Sequence, residues 1–328
     1  MKKLPSMLLA ALLVGPMLAA ESGEYTGPKR INKAIELLEA GQPVYYTYGV
    51  RGGDEPRNLE EAHALGKSLS KTWADIIMYD MEHAPLDFAL LRSFMLGLVE
   101  GGPTPSGHRT PAVIVTLPVL GLDEENVKAN GWMIQQALAT GIHGIHLCRA
   151  RDPEAVREFV RTARYPFHKE GVGDGLDEGL RGMGSHLFAS GIWGIDKEDY
   201  FRRADPWPLN PDGEILLGVK IEDPHALRNC ESTLRVPGLA FAESGPRDMG
   251  LSYGYLEGRA DPPLPPEVIA ASERVLAAAN AAGVVFLDNI LPDNVIERLE
   301  WGVMIGAGGK EEAAEIGRRQ TGRTMPWK

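Results

Sequence analysis

The chain has 328 residues, 34 Lys and Arg against 45 Asp and Glu, and a formal net charge of −11; it is 44% hydrophobic and 24% charged. That is ordinary globular composition, and the length suits one large α/β domain or two small ones. The acidic balance argues against nucleic acid as a partner, because phosphate binding needs a basic surface. An anionic substrate must meet local positive charge against an unfavourable overall field.

The N-terminus reads as a signal peptide. Lys2-Lys3 form a charged start, Met7 to Val14 an apolar core, Pro16 a break, and Ala19-Ala20 a small-residue end. Leu18 fits the position three before the cut poorly, and the apolar run is too short for an ordinary membrane span. No Cys directly follows the apolar core, so no lipid anchor is expected there. The expectation is an exported protein, periplasmic or secreted. Residues 1–20 would be removed, and 21–328 would form a single domain with no membrane anchor.

Short apolar runs then recur. Val44-Tyr48, Ile76-Asp80, Val113-Leu117, Gly144-Cys148, Ile215-Glu222, Leu239-Glu243, Val284-Leu287 and Val303-Gly306 read as eight strands. Most are apolar throughout rather than alternating, as strands buried on both faces are. Helical patterns separate them: Leu59-Leu69, Asp87-Leu98, Asn130-Thr140, Pro153-Ala163, and Pro266-Ala282 with proline at its start and Gly283 at its end. Strand alternating with helix predicts a parallel sheet, and eight such units predict a (β/α)8 barrel. A glycine-rich insertion between the fourth and fifth strands runs from Arg164 to a short helix near Lys197-Arg203. On the barrel reading it would be a mobile cover over the site or an oligomer contact.

Only Cys148 and Cys230 are present. They could pair in an oxidising compartment, but two separate buried thiols are the expectation. No Cys-x-x-Cys spacing supports a cysteine-based zinc or redox site.

Polar groups collect where strands end. The second strand runs into Asp80-Met81-Glu82-His83-Ala84-Pro85, the fifth ends in Glu222, and the sixth is followed by Gly245-Pro246-Arg247-Asp248. A barrel builds its active site at the C-terminal ends of its strands. Glu222 and Asp248 then follow adjacent strands and can share one cation, an oxygen site of the Mg²⁺ or Mn²⁺ type. His83 is a candidate acid/base residue beside Glu82 and Asp80. Taken alone, it reads rather as a structural histidine hydrogen-bonded to Glu82 or Asp87.

In order, Asp-x-Glu-His-Ala-Pro from Asp80 to Pro85, Arg-Tyr-Pro from Arg164 to Pro166, the strand ending in Glu222, Gly-Pro-x-Asp from Gly245 to Asp248, and Trp301-Gly302 resemble the HpcH/HpaI aldolase/citrate lyase family. The resemblance spans roughly residues 32 to 306. It implies a modified (β/α)8 TIM barrel of the phosphoenolpyruvate/pyruvate-binding type, and a class II aldolase that cleaves or forms a carbon–carbon bond through a metal-stabilised enolate. It also implies a divalent cofactor (Mg²⁺, Mn²⁺ or Co²⁺) on Glu222 and Asp248, His83 as acid/base residue, a 2-oxo acid and an aldehyde as small-molecule partners, and a homo-oligomer, typically a hexamer.

The sequence also departs from that pattern. The family's third strand carries an arginine that binds the keto acid; here Val115 reads as its replacement. The Arg-Gly after Arg-Tyr-Pro reads as Glu170-Gly171. Lys220 and Arg149 are the cations expected to stand in. Lys220 lies two residues before Glu222, on the same strand face, and Arg149 directly follows the fourth strand. Three readings follow: a metal-dependent aldolase, different chemistry with Lys220 as a Schiff-base nucleophile, or an exported small-acid binding protein that has lost catalysis. Action on a coenzyme A thioester is less attractive for an exported protein.

Overall fold

The structure, a computed structural model, describes residues 25–256 and 264–328. The predicted leader, residues 1–20, lies outside the described residues. The described chain begins with a short helix, α1 (Lys33–Glu39), and alternates thereafter: β1 (Val44–Val50), α2 (Leu59–Leu69), β2 (Ile76–Asp80), α3 (Phe88–Gly101), β3 (Ala112–Leu120), α4 (Glu124–Leu138), β4 (Gly144–Cys148) and α5 (Pro153–Ala163). The insertion follows, with α6 (His186–Trp193), α7 (Lys197–Arg203) and the two-residue β5 (Pro206–Trp207). The second half holds β6 (Ile215–Lys220), α8 (Pro224–Arg228), α9 (Cys230–Leu234), β7 (Phe241–Glu243), α10 (Pro246–Ser252), α11 (Pro266–Ala282), β8 (Val285–Leu287), α12 (Val295–Trp301), β9 (Val303–Gly306) and α13 (Glu311–Gln320).

All pairings between these strands are parallel. Their order, β4-β3-β2-β1-β9-β8-β7-β6, closes through β4 against β6, so eight strands form a barrel and β5 pairs only with the start of β6. This is the predicted (β/α)8 architecture. Local chemistry sets the helix starts. Asn58, Asp87, Asp123, Asp152 and Asp223 each accept backbone N–H groups at the first turn of α2, α3, α4, α5 and α8. A side-chain cap of this kind is worth about 1 kcal/mol. Pro153 and Pro224 occupy the first helical positions, where no N–H is needed.

Strand alternation divides the core in two. Tyr46, Met78, Ile114, Leu216, Phe241, Leu287 and Ile305 form the lumen cluster. Tyr45, Ile77, Val113, Val115, Ile145 and Leu217 face the helices in a separate cluster. Val115 therefore points away from the lumen, and the residues that β3 turns inward are Ile114 and Thr116. The expectation that Val115 stands where the family arginine would reach the site is corrected: that place belongs to Thr116.

The insertion is not a cover. No described residue between 164 and 214 lines the main cavity. Instead the segment runs down the outside of the barrel: the Trp193 indole N–H donates to Gly141 O at 2.9 Å, and Arg109 Nε donates to Ile192 O at 2.9 Å. It is pinned internally by Arg164, buried and bidentate to Asp205 at 2.8 and 3.0 Å. Glu170-Gly171 enter an excursion that closes where Arg181 N donates to Arg164 O at 2.8 Å. An Arg-Gly pair thus does follow Arg-Tyr-Pro, displaced along the chain to Arg181-Gly182. Both cysteines are free and buried, as expected.

Candidate active site

A cavity of about 500 Å³ opens at the C-terminal ends of the strands, lined among others by His83, Lys220, Glu222, Glu243 and Asp248. That volume falls within the range of about 300–1,000 Å³ typical of small-molecule sites. β2 delivers the first group. Its last residue, Asp80, bends the chain by accepting the N–H groups of Glu82 and His83 on Oδ1, at 2.8 and 3.1 Å. Its other oxygen lies 3.2 Å from His83 Nδ1. Asp80 thus orients the imidazole, whose ring is more than half exposed at the cavity wall. The predicted trio is assembled.

Lys220 ends β6 and reaches across the lumen to Glu82, with Nζ to Oε2 at 2.6 Å. Burial works against its charge, but Cys148, Glu222, Glu243 and Glu82 outweigh it and hold the ammonium above the ordinary lysine range. Glu82 is likewise disfavoured by burial as an anion, yet Lys220 keeps its carboxyl below the usual range. They form a mutual ion pair.

Glu222 sits two residues beyond β6 and is almost wholly buried. Its Oε1 accepts the Arg149 N–H at 2.8 Å, while Oε2 is buried with no hydrogen-bond partner among the described residues. Burial, together with the carboxylates of Glu82 and Asp248, pushes its carboxyl up to about 8 against the pull of Lys220. Gly245 makes room for it: at φ 52°, a Cβ there would lie 2.3 Å from Glu222 Cβ. Asp248 stands in the first turn of α10. The Arg149 guanidinium lies 3.6 Å from both Asp223 and Asp248.

The donor set fits a divalent cation. A buried carboxyl oxygen without a partner among the described residues, raised in pKa first by burial and then by neighbouring carboxylates, is stabilised as an anion by an opposite charge, and carboxylate oxygens are the ligands Mg²⁺ and Mn²⁺ take. Among the described residues, Glu82, Cys148 and Glu222 bring ligand atoms within 4.8 Å of one another. Cys148 is a poor member, because burial pushes its thiol up and its sulfur faces Leu117 O at 3.6 Å. A second group, His168, Glu170 and Asp205, is already served by the Arg164 guanidinium.

Sequence reasoning missed His146 and Asp288, and had Glu243 only as the carboxylate that ends the sixth predicted strand. His146 sits in the lumen on β4, Glu243 ends β7, and Asp288 follows β8. Strand alternation from Cys148 and the terminal carboxylate of the sixth predicted strand carried the signal.

Comparison with known proteins agrees with this geometry. The family model described as HpcH/HpaI aldolase/citrate lyase matches residues 59–313. The chain is similar to a hydroxypyruvate/pyruvate aldolase of Deinococcus radiodurans, 28% identical over 217 residues, covering 66% of each protein. It is also similar to a 2-keto-3-deoxy-L-rhamnonate aldolase of Klebsiella pneumoniae, 26% identical over 183 residues, covering 56% of this chain and 61% of that one. The match thus spans less than two thirds of either relative's length. In fold it is similar to an HpcH/HpaI aldolase/citrate lyase family protein from Burkholderia cenocepacia, with a TM-score of 0.62 and 22% identity, covering 88% of this chain and 96% of that one.

Proposed function

The chain belongs to the HpcH/HpaI aldolase/citrate lyase family, and on that premise we propose that it is a divalent-metal-dependent carbon–carbon lyase acting on a 2-oxo acid of the pyruvate type. The observation that carries this reading is the buried Oε2 of Glu222, unpartnered among the described residues, in the same cavity as Asp248 and a protonated Lys220. A cation held by the Glu222 and Asp248 carboxylates would supply Lewis-acid polarisation of the keto oxygen. Mg²⁺, Mn²⁺ and Co²⁺ all suit that donor set.

The chain's own residues do the rest. In the cleavage direction His83, oriented by Asp80, accepts the proton of the substrate's aldol hydroxyl. The carbon–carbon bond then breaks, the aldehyde leaves, and the electron pair moves onto the 2-oxo acid half as an enolate. Lys220 takes the role of the absent third-strand arginine: its ammonium, in the lumen layer between Glu82 and Glu243, donates to the oxygen where negative charge develops. A proton returned to the enolate carbon completes the 2-oxo acid. A Schiff-base role for Lys220 is disfavoured, because amine attack needs the neutral form and this ammonium is held charged.

Lys220→Met should leave Mn²⁺ binding within a few-fold of wild type and lower kcat for pyruvate release by ~10²–10³. Glu222→Gln should lose Mn²⁺ binding measured by electron paramagnetic resonance. Wild-type turnover in Lys220→Met would overturn the assignment, and borohydride trapping of a pyruvate adduct would favour the Schiff base. Export and assembly of several copies are parts of this proposal too. Export is supported by the Lys2 to Ala20 pattern, and a mature chain beginning near Glu21 is the mass-spectrometric expectation.

A further inference from the structure

The cations that line the cavity fall into two groups. Lys220 and Arg298 are paired, with Glu82 at 2.6 Å and Asp288 at 3.5 Å. Arg51, Arg247 and Lys310 line it too, and none of them forms an ion pair with a carboxylate among the described residues. Arg247 precedes Asp248 and belongs to the metal end. Arg51 and Lys310 stand elsewhere, on the loops that follow β1 and β9, which are neighbours in the barrel. Both loops pack on one ring. The Arg51 guanidinium lies over Tyr48, 4.2 Å from the ring centroid, and a Cβ on Gly309 would lie 4.0 Å from Tyr48 Cδ2. Of the neighbouring acids, Glu55 is turned to the Gly53 N–H at 2.7 Å and Glu311 to Lys328 at 3.4 Å.

Strand order sets their place relative to the chemistry. β1 lies opposite β6 in the closed ring, so the Arg51 loop lies across the mouth from Glu222. His83 follows β2, the other neighbour of β1, and Gly52 packs directly on it: a Cβ there would lie 2.8 Å from His83 O. A substrate held at Glu222 and Asp248, with its aldol hydroxyl at His83, therefore extends its remaining half toward Arg51 and Lys310. A guanidinium laid flat on an aromatic ring keeps its N–H edge free for bidentate contact with an anion, and a lysine adds a point charge. A carboxylate satisfies the fork alone and brings one charge. A phosphate monoester brings about two charges and three acceptor oxygens, which is the complement of two cations from two loops. The loops after the last two strands of such barrels are also a common place for phosphate, and β9 is the last strand of this barrel.

We propose that Arg51 and Lys310 form a subsite for a phosphate monoester on the half of the substrate remote from the 2-oxo acid, so that the aldehyde partner is a phosphorylated aldehyde; the word aldehyde rests on the lyase reading, the phosphate subsite does not.

The test uses the full chain with saturating Mg²⁺, with and without saturating oxalate to fill the metal end. Ligand-observed NMR compares methyl phosphate with propionate. Methyl phosphate should bind saturably in both conditions, and more tightly than propionate by about tenfold or more. Arg51→Gln and Lys310→Gln should each weaken it by about tenfold or more while leaving Mn²⁺ binding unchanged. Both side chains are exposed, so neither substitution removes buried packing. Displacement by oxalate would place the phosphate at the metal end and overturn the subsite, as would equal binding of propionate or wild-type affinity in either variant. In aldol addition with pyruvate, the kcat/KM ratio of glyceraldehyde 3-phosphate to glyceraldehyde should exceed about ten and fall by about tenfold in Arg51→Gln, through KM. Turnover of glyceraldehyde without any phosphate preference would sink the subsite and leave the lyase reading standing. Methyl phosphate binding with no turnover of either aldehyde would do the reverse.

Discussion

Arg149 separates the work of a backbone from that of a side chain. Its φ is 48°, a left-handed conformation that costs a non-glycine residue roughly 1–2 kcal/mol. The conformation aims its N–H at Glu222 Oε1, while the guanidinium lies beside Asp223 and Asp248. Arg149→Gly keeps the N–H, relieves the backbone and removes the competing cation. It should bind Mn²⁺ several-fold more tightly than wild type, and Arg149→Ala should be less stable than Arg149→Gly by about 1 kcal/mol in urea unfolding. Equal stability of the two variants would show that the left-handed turn imposes no constraint. At this scale the sequence was partly transparent. Asp80, Glu82, His83, Glu222 and Asp248 were legible because polar residues ending apolar runs have few structural reasons to be there. The direction of Arg149 was not, because nothing local says that its guanidinium turns to Asp223 and Asp248.

The strands show a different limit. Their existence was readable from apolar runs, and β2, β4 and β9 match to the residue. Their facing was harder, because a strand buried on both sides carries no alternation to read. That is why Val115, rather than Thr116, was placed at the site. Helix spacing was more legible than helix contact: α2 and α3 touch backbone to backbone, since a Cβ on Gly66 would meet Phe94 O at 2.1 Å and one on Gly97 would meet His63 O at 2.0 Å. The turn into β4 holds a measurable consequence. His143 is buried, its Nδ1 accepts the Val113 N–H at 3.1 Å, and its ring stacks on Trp193. Burial pushes its pKa down to about 3, with His108 adding to the effect. The unfolded chain takes up a proton near pH 6.5 that the folded chain refuses. The contribution is therefore intact above about pH 6.5 and is lost as pH falls toward 3, by at most about 1.4 kcal/mol per unit. His143→Gln should lower stability at pH 7 and flatten the loss between pH 7 and 5, as read from urea midpoints. An unchanged slope would remove His143 from the acid response.

The whole barrel is tied together by one carboxylate far from the chemistry. Asp75, at the start of β2, is fully buried. It accepts from Arg323 Nη1 and Nη2 at 2.7 and 2.6 Å and from Arg318 Nη2 at 3.2 Å, with Lys33 Nζ 3.0 Å away. Its Oδ2 also accepts the Tyr45 N–H at 3.0 Å. Lys33 comes from α1, Arg318 from α13 and Arg323 from the segment after it, so the two ends of the barrel chain meet on one anion. The sequence could not show this, because the arginines lie 243 and 248 residues from Asp75. Burial opposes its charge, but Arg323, Lys33 and Arg318 outweigh it and hold the carboxyl well below the usual range. Its contribution is therefore complete above the unfolded value near 4 and is lost only as pH falls below that, a window more acidic than the one for His143. Asp75→Asn keeps the shape and removes the only carboxylate that pairs directly with these three buried cations among the described residues. Breaking such a network typically costs about 3–5 kcal/mol. Urea unfolding at pH 7 should show a loss of that size, with metal affinity at Glu222 and Asp248 unchanged in whatever remains folded. A loss below about 1 kcal/mol would mean that water or relaxation replaces the carboxylate, and that the ends of the chain are held by apolar packing alone.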